Sequence, residues 1–298
     1  MFEALQEIVD RTKELNHPFW QVILEDDLAE RDVDREESTK RMEATWQAML
    51  SAALGYDKNL KSRSGLVGGD GAKMEEYRLR AEDTLCGDYV AQVIAGALQM
   101  GESNACMKRI VAAPTAGSCG VLPAVLVPYY NAGRGTQERM IQALYVAAGI
   151  GQVIAHRASI SGAAGGCQAE IGAASAMAAG ALVHLQGGNS VQIIHAAGMA
   201  LKNLLGLVCD PVAGLVEVPC VKRNVIGAMN AISAADMALA GIESRIPPDQ
   251  VIDAMGEVGE KMDTSLKETA MGGLAVTPEG LEIAARFEET TGKIQKSS

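Results

Sequence analysis

The sequence predicts a mostly α fold: a compact multi-helix domain whose cysteines sit on loops rich in glycine and proline. Three observations carry that reading. Apolar residues make up 48% of the chain, ordinary for a globular protein, and they recur at helical spacing through most of it. Aromatics are only 4%, against 32 glycines, so the core must be made by close helix crossings and not around rings. Few segments alternate with period two, and residues 216–218, Val-Glu-Val, are the best strand candidate. At 298 residues the chain can bury a sizeable core in one large domain or two modest ones.

The elements follow in order. Phe2, Leu5, Ile8, Val9 and Leu15 give a helix over residues 1–16. Residues 25–38 read as a charged connection, and residues 39–54 as a helix with Met42, Trp46, Met49 and Leu50 on one side. Residues 63–73 hold four glycines and form a loop, either a plain linker or a flap over a site. Residues 84–100 are apolar and rich in alanine, hence helical. A second loop, residues 113–120, feeds the apolar run 121–130, where Pro123 falls near a helix start and is tolerated. Residues 137–155 give another helix, and the centre alternates helix and loop through 167–185, 190–205 and 223–240, with Asn189-Ser190 as an N-cap. Pro247-Pro248-Asp249 opens a last helix, residues 250 to about 261, and the charged stretch 284–298 reads as a tail.

The formal net charge is −11, and no basic stripe is present to release phosphate counterions, which argues against nucleic acid. The excess is local. Residues 1–60 carry 14 acidic and 7 basic side chains, whereas residues 141–245 carry 5 of each. The first region reads as a solvated face and the second as a buried centre. Residues 171–201 contain no Asp, Glu, Lys or Arg, but their bulk comes from alanine and they include His184, Gln186, Asn189, Gln192 and His195, so membrane insertion is not expected. Met1-Phe2-Glu3 opens an acidic amphipathic run without the basic and apolar regions of a signal peptide. The expectation is a cytoplasmic protein in a reducing compartment, with cysteines that are buried, metal-bound or reactive.

Three of the six cysteines share one kind of neighbourhood. Cys167 follows Gly165-Gly166, Cys209 precedes Asp210-Pro211, and Cys220 follows Pro219. Loops of this kind can bring distant thiols together and free backbone N–H groups for cluster sulfurs. Their spacings, 42 and 11 residues, match no compact zinc knuckle or ferredoxin run. From spacing alone, a three-cysteine metal site and three small buried hydrophobes both remain open. Cys86 and Cys106 read as the latter.

Several segments resemble the catalytic region of the iron–sulfur L-serine dehydratases. They are Ala-Pro-Thr-Ala-Gly-Ser-Cys-Gly at 113–120, Ser-Ile-Ser-Gly-Ala-Ala-Gly-Gly-Cys-Gln-Ala-Glu at 159–170, the block from Asn203 to Asn224 containing Cys-Asp-Pro-Val-Ala-Gly and Val-Pro-Cys, and Gly-Gly-Leu-Ala-Val at 272–276. The resemblance covers roughly residues 80–280 and implies that Cys167, Cys209 and Cys220 hold a [4Fe-4S] cluster. The chain's own pattern divides it into an N-terminal helical segment and Gly-rich loop over 1–75, packed on the rest, a helical catalytic domain over 76–283, and a flexible tail over 284–298. Longer family members carry an N-terminal regulatory-type domain and a His-His segment that this chain lacks, so it resembles the α chain of the two-subunit form, with a separate β chain. Some relatives end in a cysteine that reaches the cluster, whereas this chain ends in Ser298.

The implied reaction converts L-serine to pyruvate and ammonia. Three thiolates on four irons leave one iron free to act as a Lewis acid on the serine hydroxyl. A general base must still take the Cα proton. Among His17, His156, His184 and His195, His156 is the in-chain candidate, while the resemblance suggests a base from the β chain. His184 and His195 read as core histidines. Thr115, Gly117 and Ser118, on a loop feeding a helix start, either receive the substrate carboxylate or form a tight turn that merely lets helices approach. Arg223 and Asn224, just after Cys220, are the second candidate clamp, and Asp210 reads as a residue that orients the cysteine loop. The rival activities are an iron–sulfur L-cysteine desulfidase-like lyase, a pyridoxal-phosphate dehydratase (for which neither Lys108 nor Lys202 has the required setting), and a non-catalytic helical scaffold. Subunit stoichiometry and a monovalent-cation requirement are not fixed by the sequence.

Overall fold

The computed structural model describes residues 1–295, with side chains through residue 290. Its helices are α1 (Leu5–Leu15), α2 (Phe19–Arg31), α3 (Arg35–Leu54), α4 (Asp70–Arg80), α5 (Gly87–Ala105), α6 (Val121–Asn131), α7 (Gln137–Arg157), a single turn α8 (Gly162–Gly165), α9 (Ala173–Leu185), α10 (Ser190–Lys202), α11 (Cys220–Leu239), α12 (Pro248–Lys261) and α13 (Pro278–Gln295). A π-helical turn, Gln168–Gly172, leads into α9. No strand occurs among the described residues, and the one isolated bridge joins Cys209 to Lys267. The mostly α expectation holds. No described helix is long and apolar enough to cross a membrane.

The organising element is α9. All 13 of its residues are buried, and α6, α7, α10 and α11 pack around it. Through residues 173–181 the helix is Ala, Gly and Ser apart from Met177, so its neighbours approach its backbone. A side chain at Gly180 would collide with Ile150 on α7, and Ser175 donates to the carbonyl of Gly227 on α11 at 2.8 Å. The N-terminal helices join the same core through Leu5, Ile8, Phe19 and Trp46. Trp46 meets Tyr130 edge-on, with ring centroids 5.4 Å apart.

Three local expectations are corrected. Residues 25–38 are mostly helical: α2 runs to Arg31, and α3 begins at Arg35 behind Asp34, whose carboxylate accepts from the Glu37 amide at 2.8 Å. The helix there is supported by the Asp27–Arg31 and Glu37–Arg41 pairs, which an apolar periodicity does not reveal. Residues 216–218 form no strand; the amide of Val212 reaches the carbonyl of Val218 at 2.9 Å and closes a loop. A further helix, α13, occupies most of the stretch expected as a tail, and residues 296–298 lie outside the described ones. The Gly-rich loop ends early because Glu102 caps α4, accepting from the amides of Gly69, Asp70 and Gly71 at 2.7–3.3 Å.

His184 shows the cost of this core. It lies in the last turn of α9, where the helix dipole favours a cation, yet burial first, and the Arg139 charge second, push its imidazole down to about 4. Burial outweighs the dipole. Nε2 has no hydrogen-bond partner among the described residues. Because the unfolded chain takes a proton near the ordinary histidine value and the fold resists it until about 4, stability is full above that ordinary value and is lost as pH falls between the two. The loss attributable to this group reaches roughly 3 kcal/mol. Urea midpoints at pH 7 and pH 4.5 are expected to fall less in His184→Phe than in the parent; equal falls would remove His184 from the account.

Candidate functional site

Four segments meet at one end of α11: the loop 113–120, the stretch 159–172, the loop 207–219, and the loop 263–276. Each is pinned by backbone groups. Gln168 is fully buried; its side chain donates to the carbonyl of Met255 on α12 and accepts from the Gly206 amide, and its own amide reaches the Leu207 carbonyl. This fixes Cys167 beside the loop that carries Cys209. The amide of Cys209 donates to the Leu266 carbonyl at 2.8 Å, and its carbonyl accepts from the Glu268 amide at 2.7 Å. Cys220 opens α11. Four residues later, Asn224 turns back over it, donating to the carbonyls of Cys220 and Gly117 and accepting from the Gly120 amide, all within 3.0 Å.

The three cysteines named from sequence are all buried free thiols, and two of them, Cys167 and Cys209, are drawn into one tight donor set without Cys220. The sulfurs of Cys167 and Cys209 and a carboxylate oxygen of Glu170 all lie within 4.8 Å of one another, the one such metal-capable group among the described residues. Cys220 is close enough for the charges of Cys167 and Glu170 to act on it; burial, and then those charges, push its thiol up to about 12. Cys167 moves the other way. The Cys209 thiol donates to it and Arg223 sits beside it, so it ionises first, while Cys209 is pushed up. Cys119 is also buried but faces the Met100 carbonyl at 3.8 Å, outside the trio. Cys86 is exposed and Cys106 partly so, which corrects their reading as buried hydrophobes: Cys86 precedes α5 and Cys106 follows it, at its two open ends.

The other sequence candidates divide. Thr115 donates to Glu170 at 2.7 Å. Ser118 is buried inside its own turn, near the Thr115 amide and hydroxyl. The amides of Gly120 and Val121 are taken by Asn224 and by the Ser118 carbonyl. Those of Ala116, Gly117 and Ser118 have no acceptor among the described residues, so the loop keeps its free donors one turn before the helix. Arg223 does not point into open space: its Nη1 donates to the Val208 carbonyl at 2.7 Å and lies 3.5 Å from the Cys167 sulfur. Its Nη2 is 2.8 Å from Asp210 Oδ1, a charge contact without an aligned hydrogen bond. Asp210 Oδ2 accepts from the Leu274 amide at 2.8 Å. A Cβ at Gly273, which has positive φ, would collide with that carboxylate. His156 is exposed on the last turn of α7, 3.9 Å from Glu3, and none of its contacts is with the thiols. His195 accepts from the Ser244 amide at 3.1 Å.

Sequence reasoning passed over Glu170. It is half-buried, burial pushes its carboxyl up, and two glycines wall it: a Cβ at Gly117 would come within 3.1 Å of its carboxylate, and one at Gly162 within 2.7 Å. The signal was a lone charge in a chargeless stretch; its partner Thr115 is 55 residues away.

Soft sulfur donors gathered in a buried, loop-lined centre, with no imidazole recorded among them, mark a helical protein with a centre suited to a sulfur-ligated metal. Residues 13–275 match the family of the serine dehydratase alpha chain. The sequence is 47% identical over 287 residues to the probable L-serine dehydratase, alpha chain, of Bacillus subtilis (strain 168), covering 96% of this chain and 95% of that one. It is 42% identical over 294 residues to the L-serine dehydratase, alpha chain, of Peptoniphilus asaccharolyticus, covering 96% and 98%. An L-serine dehydratase of Streptomyces coelicolor is 38% identical over 283 residues, which cover 92% of this chain and 61% of that longer one. The chain belongs to the serine dehydratase alpha chain family.

Proposed function

We propose that the chain is the α subunit of an L-serine dehydratase, a lyase forming pyruvate and ammonia, and that Cys167, Cys209 and Cys220 hold a [4Fe-4S] cluster. One observation carries the reading: two buried thiols meet a carboxylate, with a third thiol within electrostatic reach and unspent backbone amides on the loop that touches that carboxylate. The donors fit such a group, because soft thiolates select zinc, copper(I) or iron–sulfur clusters and Arg223 offers an N–H to a ligand sulfur. When bound, the cluster supplies a Lewis-acidic iron that makes the β-hydroxyl a better leaving group without net redox change.

The chain's own residues do the rest of the positioning. The amides of residues 116–118 receive the substrate carboxylate, as preorganised donors at a loop leading into α6. Thr115 keeps Glu170 oriented, and Asn224 holds that loop against Cys220. Arg223 acts through the Cys167 sulfur. The Cα proton goes to a base on the β chain, a reading supported by the exposed position of His156 and by the alpha-chain names of the relatives. Once water has left, aminoacrylate becomes an imine and hydrolyses in water.

Anaerobic reconstitution with iron and sulfide, with and without the β chain, tests this. Serine-dependent pyruvate and ammonia are expected from the pair. The isolated, iron-loaded chain should be slower by on the order of a hundredfold or more, the worth of a missing general base. Comparable turnover by the isolated chain would move the base into it. Stoichiometric zinc without a visible absorbance shoulder would remove the cluster.

A further inference from the structure

We propose that Glu170 binds the α-ammonium group of the amino-acid substrate and so makes the site select an amino acid over a simple hydroxy acid. The inference rests on the serine dehydratase reading and deepens it. Its Oε1 accepts the Thr115 hydroxyl at 2.7 Å, and no described residue donates to Oε2. No lysine or arginine pairs with Glu170 among the described residues; the charged group acting on it is Glu268, of the same sign. Beside it lie the Cys167 and Cys209 sulfurs, which bring no positive charge to balance the carboxylate. Arg223, the cation at the centre, is engaged by Cys167, Val208 and Asp210.

The surroundings match a zwitterion. Gly117 faces the Glu170 carboxylate closely enough that a Cβ would lie 3.1 Å from Oε1 and 3.3 Å from Oε2, and the amides of residues 116–118 are the unspent donors. The ammonium acceptor and the loop that carries the free amides thus lie against each other through Gly117 and Thr115. Gly162 closes the opposite wall: a Cβ there would lie 2.7 Å from Oε2 and 3.2 Å from the Cys209 sulfur. The backbone therefore approaches the carboxylate closely beside the Cys209 sulfur, and an ammonium accepted by a partly desolvated carboxylate makes a charge-assisted hydrogen bond.

The rival occupant is a metal ion, because a carboxylate oxygen of Glu170 belongs to the same set of donors as Cys167 and Cys209. The two are separable with Glu170→Gln in the reconstituted holoenzyme. L-serine and 3-hydroxypropionate, which is serine without its amino group, are titrated calorimetrically under anaerobic conditions, with iron, sulfide and the visible spectrum measured on the same samples. Serine affinity is expected to fall about tenfold to a hundredfold, with 3-hydroxypropionate affinity and iron content unchanged. Glu170→Asp, which keeps the charge but withdraws it by one methylene, should lose less for serine and nothing for the analogue. Equal losses for both ligands, or a loss of iron, would overturn the assignment. A parent holoenzyme that binds no serine would instead fail the serine dehydratase reading, and this inference with it.

Discussion

Cys209→Ser is expected to abolish stable iron loading and to lower serine turnover on the order of a thousandfold or more, the scale of several kcal/mol of lost Lewis-acid stabilisation. The reason lies in how the three thiols are held. Cys209 is clamped through both its backbone groups to residues 266 and 268, so a serine there keeps the loop but offers a harder, poorer donor. Its neighbours cannot substitute: Cys119 faces the Met100 carbonyl, and Cys86 lies exposed before α5. Cys119→Ser and Cys86→Ser therefore serve as controls and should retain iron. Colorimetric iron and acid-labile sulfide on anaerobically reconstituted protein decide the matter. Full iron in Cys209→Ser, with loss in Cys119→Ser, would shift the ligand set. The fold should survive in the apo state, since the clamping bonds are made by main-chain atoms.

The same contrast between local and distant partners explains what the sequence made legible. Cys167, Cys209 and Cys220 were singled out by the motifs they share with the dehydratase family; glycine and proline nearby mark breaks in helical periodicity, but Cys86 and Cys119 also have a glycine beside them. The helices α5, α6, α7, α9 and α10 were visible for the complementary reason, as long apolar or alanine-rich runs. Helix α2 beyond residue 25 was not, because its support there is an ion pair between Asp27 and Arg31 and not an apolar face. Asn224 and Arg223 were found by proximity to Cys220, but their placement follows from helix geometry. Position 224 is one turn after 220 and returns to its carbonyl; position 223 sits under loop 208–210. Glu170 was passed over because its meaning is tertiary: Thr115 and Gly117 reach it from the distant loop 113–120, and Gly162 from the turn before Cys167. Likewise, the Gly-rich loop at 63–73 looked like a linker or a flap. In the folded chain Ser62 donates to Glu217 at 2.8 Å, which straps that loop to the segment leading into Cys220.

Arg223→Met is expected to destabilise the protein by roughly 3–5 kcal/mol, because it leaves a buried charge without its partner. Asp210 is the group abandoned: its side chain is 4% exposed, against 15% for that of Arg223. Its Oδ2 retains the Leu274 amide, but Oδ1 has no aligned donor even in the intact protein, so only the guanidinium charge offsets its burial. The Val208 carbonyl loses its donor in the same step. Removing both charges together should be milder. Arg223→Met/Asp210→Asn is expected to recover much of the loss, giving a coupling energy of opposite sign to the single changes. Arg223→Lys keeps the charge but not the fork that spans Val208, Cys167 and Asp210, and should recover only part. Urea unfolding of the four apoproteins measures this cycle without the cluster. Additive losses in the double variant would show that Arg223 acts on the cysteine loop through Val208 and Cys167 alone, and not through its pairing with Asp210.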